Sequence, residues 1–140
     1  MGMQQILLIL LSVIIVSISV IGAMGLFTLQ AQRSNRSAII QDMHQVATLA
    51  VAYFRTSSNM GGGDGNFIVD EFYVWSGYPL TDNENFIVTD NGRIRLQTRP
   101  NGNLIIEGWG TELGYDEEDV IRGRLTLDGS THQLTLQLLN

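Results

Sequence analysis

The residue types able to do chemistry are few in this chain and poorly spaced for it. The 140 residues include two histidines and no cysteine. A metal centre needs several converging ligands, so His44 and His132, far apart and without thiolates to help, read as satisfied or solvated imidazoles. The lack of cysteine also excludes disulfide staples and thiol nucleophiles. Asp116-Glu117-Glu118-Asp119 has the charge to attract calcium, but its spacing fails the twelve-residue loop pattern, as do Asp64 and Asp82, and it reads as a solvated loop. No Ser sits in a Gly-x-Ser-x-Gly context, and no pair of acids stands out for hydrolysis. Gly61-Gly62-Gly63-Asp64-Gly65 lacks both the Lys-Ser/Thr ending and the preceding strand of a phosphate-binding loop, and reads as a flexible connector. Asn35-Arg36-Ser37 matches the N-glycosylation pattern, but it falls inside a predicted helix. These residues predict neither an enzyme nor a metal or cofactor site.

Charge narrows the partners. The formal net charge is −6, and the acids lie from Asp42 onward. Binding to phosphate backbones draws on a basic patch, and the linear sequence shows none, so no nucleic-acid partner is expected.

The elements explain the chain better than any site does. Met1 to Gln32 carry no ionisable side chain, and Ile6 to Leu29 are almost wholly apolar. About 24 such residues cross a ~30 Å hydrocarbon core at ~1.5 Å per residue. A cleaved signal peptide, with Ala23-Met24-Gly25 as its site, fits less well: the apolar run is too long and its start is not basic. Arg33 and Arg36 after the run, read by the positive-inside rule, vote for a cytoplasmic C-terminal part.

Ile39, Ile40, Met43, Val46, Ala47, Ala50, Val51 and Phe54 then recur at steps of three and four, the stripe of an amphipathic helix. No Pro interrupts Met3 to Arg55, which predicts one helix of about 50 residues with soft points at Gly22 and Gly25. Asn66 to Asn85 reads as a long loop with short structured pieces, its aromatics (Phe67, Phe72, Tyr73, Trp75, Tyr78) covering the sheet edge. From Phe86 the period becomes two. Asp90-Asn91-Gly92, Pro100-Asn101-Gly102 and Asp128-Gly129-Ser130 separate the extended runs, and such turns between alternating residues predict hairpins. The expected fold is α+β: a long N-terminal helix, apolar in its first half, packed by its second half on a four-stranded antiparallel sheet. The predicted segments are 1–2 (short leader), 3–32 (apolar helix), 33–57 (amphipathic helix), 58–85 (Gly-rich connector and loop) and 86–140 (sheet).

This plan resembles type IV pilins and pseudopilins. Gly2 followed by Met3-Gln4-Gln5-Ile6-Leu7-Leu8-Ile9 is similar to the prepilin processing site, where a peptidase cuts after a Gly and the mature chain starts at an apolar residue, here Met3. The specific part of the resemblance is confined to about the first 30 residues. The chain departs from the family at Leu7, where a Glu usually stands at the fifth mature position, in lacking a Pro in the apolar half, and in lacking a basic leader. Gln4 and Gln5 bring amides that accept a hydrogen bond from a neighbour's amine without charge.

The resemblance implies a homopolymeric filament drawn from an inner-membrane pool by pilus assembly machinery after cleavage by prepilin peptidase, with an exported C-terminal part. Gly2 and Met3 are the expected processing residues. Met3, Gln4, Gln5, Ile6, Leu7, Leu8, Leu11, Ile14, Ile15, Ile18, Gly22 and Gly25 are the expected filament-core residues. Two other readings remain. One is a pseudopilin or minor pilin of a secretion or uptake machine. The other is a bitopic membrane protein whose β domain binds or senses.

Overall fold

In the computed structural model of the chain, which describes residues 2–78, 86–114, 119–131 and 133–139, the apolar run and the amphipathic stretch are one α-helix, α1 (Gly2–Arg55), of 54 residues. At ~1.5 Å per residue it is about 80 Å long. It passes through Gly22 and Gly25 without a break. Five strands follow: β1 (Phe86–Thr89), β2 (Gly92–Thr98), β3 (Leu104–Leu113), β4 (Val120–Leu127) and β5 (Leu134–Leu138). They form an antiparallel meander in the order β1-β2-β3-β4-β5. The expected count of four strands is therefore corrected to five. The short run from Phe86 is a strand of its own, folded onto β2 by the turn at Asp90-Asn91, with Phe86 opposite Arg95 and Thr89 opposite Gly92.

Alternation decides what each strand buries. Ile94, Leu96, Leu104, Ile106, Ile121 and Leu125 face the helix and are buried, as are Ile39, Met43, Val46, Ala47 and Ala50 opposite them. The seam is close because the sheet offers glycine beneath the helix. A Cβ on Gly108 would lie 2.6 Å from Met43 Sδ and 3.1 Å from Ile39 Cγ1, and one on Gly110 would run into Asn35 Oδ1. Gly110 thus sits beside Asn35 and Gly108 beside Ile39 and Met43, so β3 runs antiparallel to α1.

Asn35, at the glycosylation pattern, is committed to this seam. Its Nδ2 donates to Asn91 O (2.9 Å) and Thr111 Oγ1 (3.0 Å), and its Oδ1 accepts from Thr111 N (3.0 Å) and Glu112 N (3.3 Å). Asn91 in turn donates to Asp42 Oδ2 at 2.9 Å. One amide clamps two hairpin ends to the point where the helix enters the domain.

The far end of α1 differs from the reading in three respects. Tyr53 is fully buried and Phe54 only half-buried, because the last turn packs on aromatics from a second helix as well as on the sheet. That helix is α2 (Val69–Ser76), in a segment expected to be mostly loop. Asp70 and Glu71 in its first turn complement its dipole. Its rings do not cover the sheet edge: Phe67, Phe72 and Trp75 gather around Tyr53 at 5.5, 5.7 and 5.6 Å, edge-on. Tyr73 reaches the sheet, where its hydroxyl accepts from Leu96 N at 3.2 Å, and Tyr78 packs against the same core.

The glycine run is ordered, and it caps α1. Gly63 N donates to Tyr53 O and Gly65 N to Phe54 O, both at 2.9 Å, which satisfies carbonyls that a helix end leaves open. A Cβ on Gly62 would collide with Thr56 O, and one on Gly63 with Asn66 O. Glycine is needed there for close backbone approach.

Two outcomes follow from these contacts. Asn35→Ala should cost the domain about 1–3 kcal/mol in urea unfolding of the detergent-solubilised chain, because it strands the Thr111 and Glu112 amides. Burial raises the pKa of the Tyr53 hydroxyl, and its bond to Glu71 Oε2 (3.1 Å) and that carboxylate's charge push the same way. Burial likewise raises Tyr73, against the opposing pull of its bond from Leu96. A raised folded pKa means this contribution is complete below the ordinary tyrosine value of ~10 and is lost as pH rises through the folded values. The urea midpoint should hold to about pH 10 and fall above it, less steeply in Tyr53→Phe.

Candidate functional site

Among the described residues, the first half of α1 packs against nothing. Its most apolar window is 0% buried, and the helix is long and apolar enough to cross a membrane. Met3, Ile6, Leu7, Leu8, Leu11, Ile14, Ile15 and Ile18 are all exposed, Met3 at 86%. Gln4 and Gln5 are exposed in the opening turns, and Gly22 and Gly25 have open space where a Cβ would go. Gly2 opens the helix. No acid stands in its first turn, so no carboxylate there complements the positive end of the helix dipole.

The hydroxyls in this half are satisfied internally. Ser12 Oγ donates to Leu8 O (2.6 Å), Ser17 Oγ to Val13 O (2.7 Å), Ser19 Oγ to Ile15 O (2.8 Å) and Thr28 Oγ1 to Met24 O (3.1 Å). Hydroxyls bonded back onto the helix carry little cost in an apolar medium.

Helical spacing links the two halves. Leu7, Leu11, Ile14, Ile18, Gly22, Gly25, Leu29 and Gln32 advance by threes and fours into Ile39, Met43, Ala47 and Ala50, which places them along one face. The face that the sheet covers from Gln32 onward therefore continues uncovered to Leu7. The structure brings together the stripe Leu7, Leu11, Ile14, Ile18, Gly22 and Gly25. Ile6, Leu8 and Ile15 lie on the flanks.

Two further apolar surfaces lie on the domain. Leu134, Leu136 and Leu138 of the edge strand point to the helix side of the sheet but stay 42%, 39% and 45% exposed, since α1 lies over β3 and β4. An open groove of about 700 Å³ lies between the last turns of α1 and the β2–β3 and β4–β5 turns, with Val51, Phe54, Phe67 and Leu127 among its walls.

The opposite face of the sheet carries a cluster that the linear reading missed. Arg93 and Arg95 on β2 and Arg122 and Arg124 on β4 point outward across β3, with Glu107 and Trp109 between them by register. Glu107 is buried, accepts from Arg124 Nε (3.0 Å) and Nη2 (2.7 Å), and lies 3.8 Å from Arg122 Nη2. Arg93 stacks over Phe86 and Trp109 at 5.1 and 5.8 Å, and Arg122 over Trp109 at 5.3 Å. The signal was present in Arg93-Ile94-Arg95 and Arg122-Gly123-Arg124, each alternating at strand period.

Among the described residues no three His, Cys, Asp or Glu converge as metal ligands. His44 is exposed on α1. Asp82, Tyr115, Asp116, Glu117, Glu118 and His132 lie outside the described residues. No protein-family profile, curated protein or solved structure matches the chain.

The buried carboxylate sets a test. Glu107→Gln should lower stability by about 1–2 kcal/mol in urea unfolding, because the arginines it holds remain partly open to water and lose only part of their compensation.

Proposed function

We propose that this chain is the structural subunit of a pilin-like extracellular filament, held in a membrane by the apolar half of α1 before assembly. The observation that carries the reading is the single helix whose first half buries nothing and whose second half is the core of the domain. A simple anchor needs about 20 apolar residues and a flexible link. Here the uncovered stripe runs on into the seam with no break, so the domain is held at one angle to the apolar rod. A helical polymer of identical subunits needs that fixed angle, because each interface repeats at every step.

The exposed rod must be covered by lipid or by copies of itself. Helix–helix packing is close to an even exchange for lipid contacts, and small residues permit tight approach. Transfer from bilayer to filament core is then cheap, with Met3, Gln4 and Gln5 at the subunit seam and Gly2 as the residue before the cut. The acidic domains form the outer layer. In this account the function is mechanical, and it runs through packing rather than an active site.

Mass spectrometry of protein sheared from the surface of cells making this chain is the direct test. The subunit should be abundant in that fraction and lack Met1-Gly2. A chain found only in membranes would overturn the filament in favour of a membrane-anchored binding module. Ile14→Asp and Leu8→Lys should abolish filaments while Ile14→Leu keeps them, since a charge in the core costs several kcal/mol and recurs in every subunit.

A further inference from the structure

The outer face of the sheet contradicts the charge of the chain. Among the described residues it holds four arginines, half of the chain's eight basic residues, and one acid, Glu107, a formal +3 on a chain whose formal net charge is −6. We propose that this face is a docking surface for the acidic surface of a second copy of the chain, with the guanidinium groups of Arg93 and Arg95 meeting the neighbour's carboxylates. The proposal rests on the filament reading for the crowding that brings copies together, and it adds the contact by which the outer domains lock.

Geometry supports a built surface rather than scattered charge. Neighbouring strands lie ~4.8 Å apart and alternate residues ~7 Å apart, so the four arginines form an array of about 7 by 10 Å. The guanidinium carbons of Arg93 and Arg95 lie over the Phe86 ring, 5.1 and 5.8 Å from its centroid, and Phe86 is itself buried. That stacking fixes both forks. The Gln97 side-chain oxygen also accepts from Arg95 Nε (3.2 Å) and Nη2 (3.3 Å), so Arg95 is steadied along one edge and presents its other edge beside the Arg93 fork for carboxylate recognition. Among the described residues Glu107 is the acid that ion-pairs with this array, and it engages the β4 arginines, leaving Arg93 and Arg95 without a carboxylate within 4.0 Å.

Composition separates this partner from a nucleic acid. A single-strand binding face presents open rings on which bases stack. Here Trp109 has Arg93 and Arg122 over it, and Phe86 is buried beneath two arginines. Arginine with aromatic rings is the composition of the energetic centres of protein–protein interfaces.

The test uses the full chain in neutral detergent micelles, where the micelle covers the apolar helix and sedimentation reports self-association. The Debye length falls from about 10 Å at 0.1 M salt to about 3 Å at 1 M. Wild type should associate at 0.1 M and weaken at least about tenfold at 1 M, and Arg93→Gln/Arg95→Gln should lose that association already at 0.1 M. Arg93→Lys/Arg95→Lys, which keeps the charge but not the fork, should fall between them. Circular dichroism should show all three folded, as both arginines are exposed. Association that ignores salt and these substitutions comes from the helix and overturns the proposal. So does a monomeric wild type at 0.1 M. An oligothymidylate of about 30 nucleotides bound through the same arginines by a non-associating chain would also overturn it, in favour of a polyanion site. Failure to find filaments on cells bears on the filament reading alone, because the micelle experiment isolates the sheet face from helix-driven polymerisation.

Discussion

One helix has to satisfy two environments, and the seam between α1 and the sheet is what lets it. Along its first half, beyond Gln4 and Gln5 in the opening turns, the side chains from Ile6 to Leu29 are apolar or hydroxyls bonded back to the backbone, which suits lipid or a dry helix bundle. Along its second half one face is pressed onto β3 and β4, with the others facing water. Met43 over Gly108 and Ala47 and Ala50 on the same face let backbone approach backbone closely. A larger side chain under Met43 would lift the rod from the sheet and release the angle between them. Everything downstream depends on that angle being fixed.

Both ends of the seam are pinned by polar groups rather than by more apolar area. At the entrance Asn35 holds the β1–β2 turn and the end of β3, so the domain is gripped where the helix leaves its apolar half. At the exit the glycine run folds back to close the last carbonyls of α1, and Tyr53 is held in a box of rings from α2 and the segment before it. Hydrogen bonds of this kind add modest net stability but cost a great deal when one partner is missing, so they set register more than they add strength.

Charge is segregated in the same economical way. An acidic chain keeps its domains apart in solution by repulsion, which guards an exposed apolar rod against indiscriminate association. Concentrating the exception on one sheet face makes any attraction directional. The arginines around Glu107 are held by stacking and by the ion pair, and such rigidity reduces what any association must spend on ordering side chains.

How much of this was legible follows from the range of the forces involved. The helix from end to end, the change of period at Phe86, the hairpin turns and the apolar stripe are local patterns, since helix and strand impose their own periods on neighbouring residues. The sequence by itself determined those, together with the uncharged rod and its lack of catalytic groupings. The fifth strand, α2 and the aromatic box needed tertiary structure, because Phe67, Phe72 and Trp75 find Tyr53 only after the chain turns back on α1. The same holds for Asn35, whose local pattern suggests a modification and whose partners lie 56 and 76 residues away. The glycine run reads locally as freedom, yet the fold uses it for closeness. The arginine face also emerges only on folding: β2 and β4 are not neighbours, and pairing both with β3 puts two alternating pairs on one surface. Local patterns declare which face of an element is apolar, and only the completed register decides which polar residues meet on the other.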